Sequence, residues 1–342
     1  MDIFFHHSYN LDLLNLLNIV NGDPHFKKLY PQVFAEFGQP LSLDSKNVLQ
    51  QISQAMGTTL ISAPIAFGIS IIPQFEKESL LDLLMDRDRF LTAVEQNEPR
   101  LMAQKEQLLI LFQVLAPVIQ ELETLGFREY WLSECLPVIE NRLDAVEKFY
   151  LQSGFYSIFN ELMEQEDLPE ELNVFFCVLN GGNGVRLSNH TPVIDISFPT
   201  EKIFDFALHE FFQHQISKPD AKKLLETLVN NSFLEMAFEK SRDMTGINSI
   251  SSYIQENVTT AYKSFLFHKS GLLADPIGFL REYQQGALIL AVILVDHLIW
   301  DGLRRPSMID DVEDWLKENA TNSLMDLYKK ALERAGKTLG DQ

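Results

Sequence analysis

The chain has 342 residues, 46% hydrophobic and 22% charged, a balance that excludes both a disordered and a membrane-embedded protein. Its 48 acidic residues outnumber 28 basic ones, and the formal charge of −20 excludes nucleic-acid binding through phosphate neutralisation. Two cysteines, Cys135 and Cys177, each flanked by apolar residues, indicate buried free thiols and no disulfide framework.

In chain order, residues 3–8 read as a short strand, with no basic segment ahead of an apolar one that would mark a signal peptide. Asn10 is placed to cap a helix over Leu11–Val20, which Asn21-Gly22-Asp23-Pro24 ends. The pattern is then helical to about Glu166, with breaks near Gly38, Pro73, Pro99, Gly126 and Gly154. Amphipathic helices are predicted over Gln104–Leu125 and Pro137–Leu151. The apolar stretches Thr58–Pro73 and Gly286–Val295 fall short of the roughly 20 residues that span a bilayer. They are predicted core segments of a cytoplasmic protein.

The period changes near residue 172. Asn173–Leu179 is an apolar run of strand character, followed by the turn residues Asn180-Gly181-Gly182-Asn183-Gly184. That turn lacks the Lys-Ser/Thr of a phosphate loop and reads as a hairpin. Val185–Leu187 and Pro192–Phe198 complete a small sheet, with the second of them expected at an edge, where an extended substrate can pair. Thr200 then caps a further helix, and the rest of the chain is helical.

The residues that carry chemistry lie in Leu208-His209-Glu210-Phe211-Phe212-Gln213-His214, on a helix that Lys218-Pro219 is expected to stop. In the usual zincin motif two His four residues apart share a helix face, and the Glu between them activates a metal-bound water. Here the second His is five residues on. At about 100° per residue it turns roughly 140° away from the first, so shared ligation demands a π-bulge between Leu208 and Gln215. Downstream, Tyr253-Ile254-Gln255-Glu256-Asn257-Val258-Thr259-Thr260 reads as a helix whose buried stripe is Ile254, Val258, Ala261 and Phe265. Glu256 lies just off that stripe. A carboxylate there is placed to complete a His₂Glu zinc site.

His209–His214 resembles the HExxGH hexapeptide of the dipeptidyl peptidase III family, and Gln255–Thr260 is similar to that family's later EExxAE segment. The wider chain looks like a group of bacterial gluzincin-like proteins, with an N-terminal strand and leucine-rich helix, a helical middle, and Asp-Ile-Ser-Phe-Pro before the motif helix. The resemblance implies a mostly helical α+β fold, with a mainly helical part over 1–165 and a zincin-like metal-binding part with a small sheet over 166–342. It implies a zinc metallopeptidase in which His209, His214 and Glu256 hold Zn²⁺ and Glu210 is the general base. Tyr283 and His268 are candidate donors to the oxyanion. The expected partner is a peptide or protein substrate, with neither nucleic acid nor membrane.

The sequence departs from the family at three positions. Gln213 stands in place of Gly, and Gln255 and Thr260 replace flanking glutamates, the second of which orients a ligand His. Asp205 is the acid available to take that role. The alternative expectation is therefore a catalytically inactive gluzincin-like scaffold that binds a protein or peptide partner.

Overall fold

The computed structural model describes residues 2–164, 171–188, 191–216, 225–319 and 323–340. It is mostly helical with one four-stranded mixed sheet, an α+β fold dominated by helix. The chain forms two compact units. One holds Ile3–Glu147 and Asn173–Phe206, and the other holds Met1–Asp2, Lys148–Leu172 and Ala207–Gln342. The sequence grouped the sheet with the HE helix over 166–342. The strands lie instead with the N-terminal helices, because β1 (Asp2–His7), from the start of the chain, is an outer strand of the same sheet.

The strand order is β1-β2-β4-β3, with β2 at Glu171–Cys177, β3 at Gly184–Arg186 and β4 at Pro192–Asp195. β2 runs parallel to β4 with Phe175 opposite Val193, and β3 runs antiparallel to β4 with Val185 opposite Val193. Two expectations change here. The Asn180–Gly184 turn links strands that are not neighbours, so it is no hairpin, and β4 is an inner strand, not an edge. β2, whose Val174, Phe175, Phe176 and Cys177 are all buried, lies inside the sheet and pairs in parallel with β4, as strands covered on both faces do. The turn needs glycine at Gly181, where φ is +65° and an added Cβ would stand 2.8 Å from the Phe26 ring.

The first helix, Tyr9–Val20, is capped by Ser8, whose Oγ accepts from the Leu11 amide at 3.4 Å. Asn10, the expected cap, instead donates to the carbonyls of Phe75 and Glu78 at 2.7 and 2.9 Å. Two residues on, Asp12 is fully buried. It accepts from Trp131 Nε1 at 2.9 Å, Val178 N at 2.9 Å and Leu179 N at 3.0 Å. It thereby ties this helix to the segment after β2. Burial pushes its pKa up to about 6, against the lowering effect of those three donors.

In the other unit, the helix Ile250–Lys269 packs on Ile289–Asp296, every residue of which is buried. Asn257 Oδ1 accepts from the Ala291 amide at 3.0 Å, and Tyr253 Oη donates to the Ala287 carbonyl at 2.6 Å, fixing the two helices in register. A π-turn follows at His297–Asp301. His297 is buried there, with Nε2 at 2.8 Å from Asp311 Oδ2 and its ring stacked on Trp315. Those contacts give His297 a packing role.

No single described helix is long and apolar enough to cross a membrane. Lys105–Thr124 and Phe127–Gln152 meet that test only together, across a 63° bend.

Candidate functional site

The HE motif lies on the helix Thr200–Ile216. Ala207, Leu208, Phe211 and Phe212 are buried to between 0 and 3% exposure and anchor it, while His209, Gln213 and His214 are half-buried. The glutamate helix, Ile250–Lys269, buries Ile254, Val258, Ala261 and Phe265 as its spacing predicts, and leaves Glu256 half-buried beside that stripe. The Phe212 and Tyr262 rings meet at 5.3 Å and hold the two helices together.

That packing brings four side chains to one point. His209 Nε2 lies 3.6 Å from Glu256 Oε2. Gln213 Nε2 donates to the same oxygen at 3.4 Å, and Thr260 Oγ1 donates to Glu256 Oε1 at 3.4 Å. Thr260 is four residues after Glu256 on its own helix, so it supports the carboxylate from one turn away.

The expected π-bulge is absent. The helix is α throughout from Thr200 to Ile216, whereas π-turns occur at Phe34–Gly38, Trp131–Cys135 and His297–Asp301. Regular winding makes Gln213, four residues on, the neighbour of His209 on the shared face. It leaves His214 turned about 140° around the axis. The Lys218-Pro219 stop lies outside the described residues; the described helix ends at Ile216.

How well these residues suit zinc is a question of donors. Two ligands of a tetrahedral zinc stand about 3.3 Å apart, so His209 and Glu256, 3.6 Å apart, have nearly the separation of a ligand pair. Regular winding turns His214 away from the face of that pair. Gln213 takes the i+4 position with an amide, a weaker zinc ligand than imidazole, and its nitrogen donates to the carboxylate. Among the described residues, no group of three or more His, Cys, Asp or Glu side chains is placed to hold a metal ion. The residues fit two ligand positions and not the third.

Glu210 follows His209 and is buried, at 8% exposure. Tyr283 stacks on Phe279, with ring centroids 5.3 Å apart, at the start of the turn Tyr283–Gly286. His268 Nδ1 is 3.0 Å from the Leu273 carbonyl, so the ring closes the end of its own helix. His6 meets Asn173 Oδ1 at 2.7 Å while the His7 ring packs on Trp131, the opposed placement expected of a strand doublet. Gln213, which the sequence marks as a departure from Gly, holds the place on this face that a second His would need in a regular helix. It stands four residues after His209, the spacing that a regular helix rewards.

Comparisons of the chain with family models, with curated proteins and with solved structures return no match. The gluzincin resemblance stands on the motif residues of the sequence alone.

Proposed function

We propose that the chain is a gluzincin-like scaffold that binds a protein or peptide partner without hydrolysing it. The observation that carries this reading is the Gln213 amide, which stands one turn after His209 and donates to Glu256. With Thr260 donating to the other oxygen, the carboxylate is held by two neutral donors at the place where a gluzincin's glutamate would face metal. The buried free thiols of Cys135 and Cys177 suit a reducing compartment, and the cytoplasm is the proposed location.

A second reading is a zinc-dependent metallopeptidase, with His209, His214 and Glu256 holding Zn²⁺, Glu210 as base and Tyr283 as donor. The 3.6 Å approach of His209 to Glu256 favours it. It requires the motif helix to admit an extra residue in one turn, so that His214 swings onto the face of His209.

One experiment separates the two readings. Hydrolysis of a peptide library is measured with zinc added, for the wild type and for Glu210→Gln. The scaffold reading predicts no turnover in either. Turnover in the wild type that falls about 10²- to 10⁴-fold in Glu210→Gln would establish the peptidase instead.

A further inference from the structure

A groove of about 620 Å³ runs between the helices Ser232–Thr245 and Leu324–Gly340, floored by Ala287 and Ile289. Its walls follow helical spacing: Phe233, Met236, Lys240 and Met244 on one side, and Met325, Tyr328, Lys329 and Leu332 on the other. The Phe233 and Tyr328 rings, 6.2 Å apart, bridge the two walls. Three methionines remain open to solvent at the rim, Met236 at 58%, Met244 at 47% and Met325 at 41% exposure. Methionine adapts its shape to what it contacts, and clusters of it mark surfaces that take apolar side chains.

The charge of the groove runs against that of the chain. Lys240, Arg281 and Lys329 line it and no carboxylate does, although acidic residues outnumber basic ones 48 to 28 overall. Among the described residues none of these three cations is engaged in an ion pair, whereas Arg304, Arg305 and Arg334 of the same unit all are.

The end of the groove floor is built from left-handed backbone. Gln284, Gln285 and Gly286 have φ of 45°, 56° and 74° in succession. Glycine suits the third position, where an added Cβ would stand 3.0 Å from the Arg281 carbonyl oxygen. Two glutamines in this conformation are costly, and such backbone collects where a fold presents side chains for use. Gln285 lines the groove from this turn.

We propose that this groove docks an amphipathic helix of a partner protein, with one apolar stripe flanked by Asp and Glu. The exposed methionines set the apolar stripe, and the three cations set the sign of the flanks. From Phe233 to Met244 the wall is roughly 16 Å long, about three turns of a docked helix. With its methionines 41 to 58% exposed, the groove is too open to enclose a small ligand, which a pocket buries by about 70% or more. The inference deepens the partner-binding reading and rests on it only for the class of ligand, since none of the groove residues belongs to the His209–Glu256 cluster.

The test is fluorescence anisotropy of a labelled helical peptide, with leucines at i, i+3, i+4 and i+7 and glutamates on both flanks. A copy with lysines for glutamates is the control, and oleate is the competing small ligand. The full-length wild type should bind the acidic peptide, and bind it less tightly as salt rises. Lys240→Glu combined with Lys329→Glu should weaken binding about tenfold, since each reversal exchanges an attraction for a repulsion at the rim. Met236→Ser should weaken it independently of salt, and His209→Ala should leave it unchanged. Equal binding of the acidic and basic peptides, an unaffected charge-reversed variant, or binding of oleate alone would overturn the proposal. Because the peptide is read without zinc or turnover, loss of the groove site and loss of the scaffold reading give different results.

Discussion

Gln213 lies one helical turn after His209 and directs its amide nitrogen at the Glu256 carboxylate, 3.4 Å away. In a regular helix that position belongs to whichever residue follows the first ligand by four, so the winding of Thr200–Ile216 selects Gln213 over His214. The cluster has the outline of the proposed site, with a hydrogen-bonded amide where a second imidazole would stand.

The outline depends on packing. Phe212 is fully buried against Tyr262 and fixes the motif helix on the glutamate helix. Phe212→Ala should destabilise the protein by about 3–5 kcal/mol, measured by urea unfolding. A loss below about 1 kcal/mol would mean that other contacts hold the two helices.

Asp12 gives a pH dependence of defined sign. Its folded pKa of about 6 lies above the ordinary 3.8, so the folded state holds a proton that the unfolded chain releases. Its contribution is most favourable below about pH 3.8 and is lost as pH rises through about 6. At about 1.4 kcal/mol per pKa unit the loss is roughly 3 kcal/mol. Asp12→Asn removes the titration while turning an NH₂ toward the Trp131 indole. Its stability relative to wild type should therefore climb between pH 4 and 7. A flat difference across that range would show that Asp12 does not titrate there.

Much of this organisation was legible in the sequence, and the exceptions share a cause. The motif and glutamate helices were readable because their apolar residues repeat with the helical period. Cys135 and Cys177 are buried as their flanks suggested, and both thiols titrate above the ordinary range because burial disfavours the thiolate. Strand order was not readable. The pairing of β2 with β4 leaves β3 outside, and it depends on the two buried faces of β2, which periodicity alone does not assign. The Ser8 cap displaced Asn10 because the Asn10 amide serves carbonyls more than sixty residues away. The π-turns lie elsewhere, one of them beginning at buried His297, and not where the HExxxH spacing invited one.

The His297 network provides a control away from the candidate site. Asp311 is fully buried and accepts from His297 Nε2 as well as from the amides of Arg304 and Arg305, at 2.8, 2.8 and 3.1 Å. Asp311→Ala should cost about 3–5 kcal/mol because it strands three donors in the interior. Asp311→Asn keeps an oxygen for the two amides and should cost clearly less. Equal losses in the two variants would assign the effect to charge and not to hydrogen bonding.

Zinc content tests the central claim most directly. Wild type, Gln213→His and His214→Ala are purified without chelator, equilibrated with a small excess of zinc, desalted and assayed for metal per chain by mass spectrometry. If Gln213 occupies the position of the second ligand, wild type and His214→Ala should both retain far less than one zinc. Gln213→His, which restores the four-residue spacing opposite Glu256, should retain about one and gain thermal stability with it. One zinc per chain in the wild type, lost in His214→Ala, would contradict the account and restore the HExxxH site.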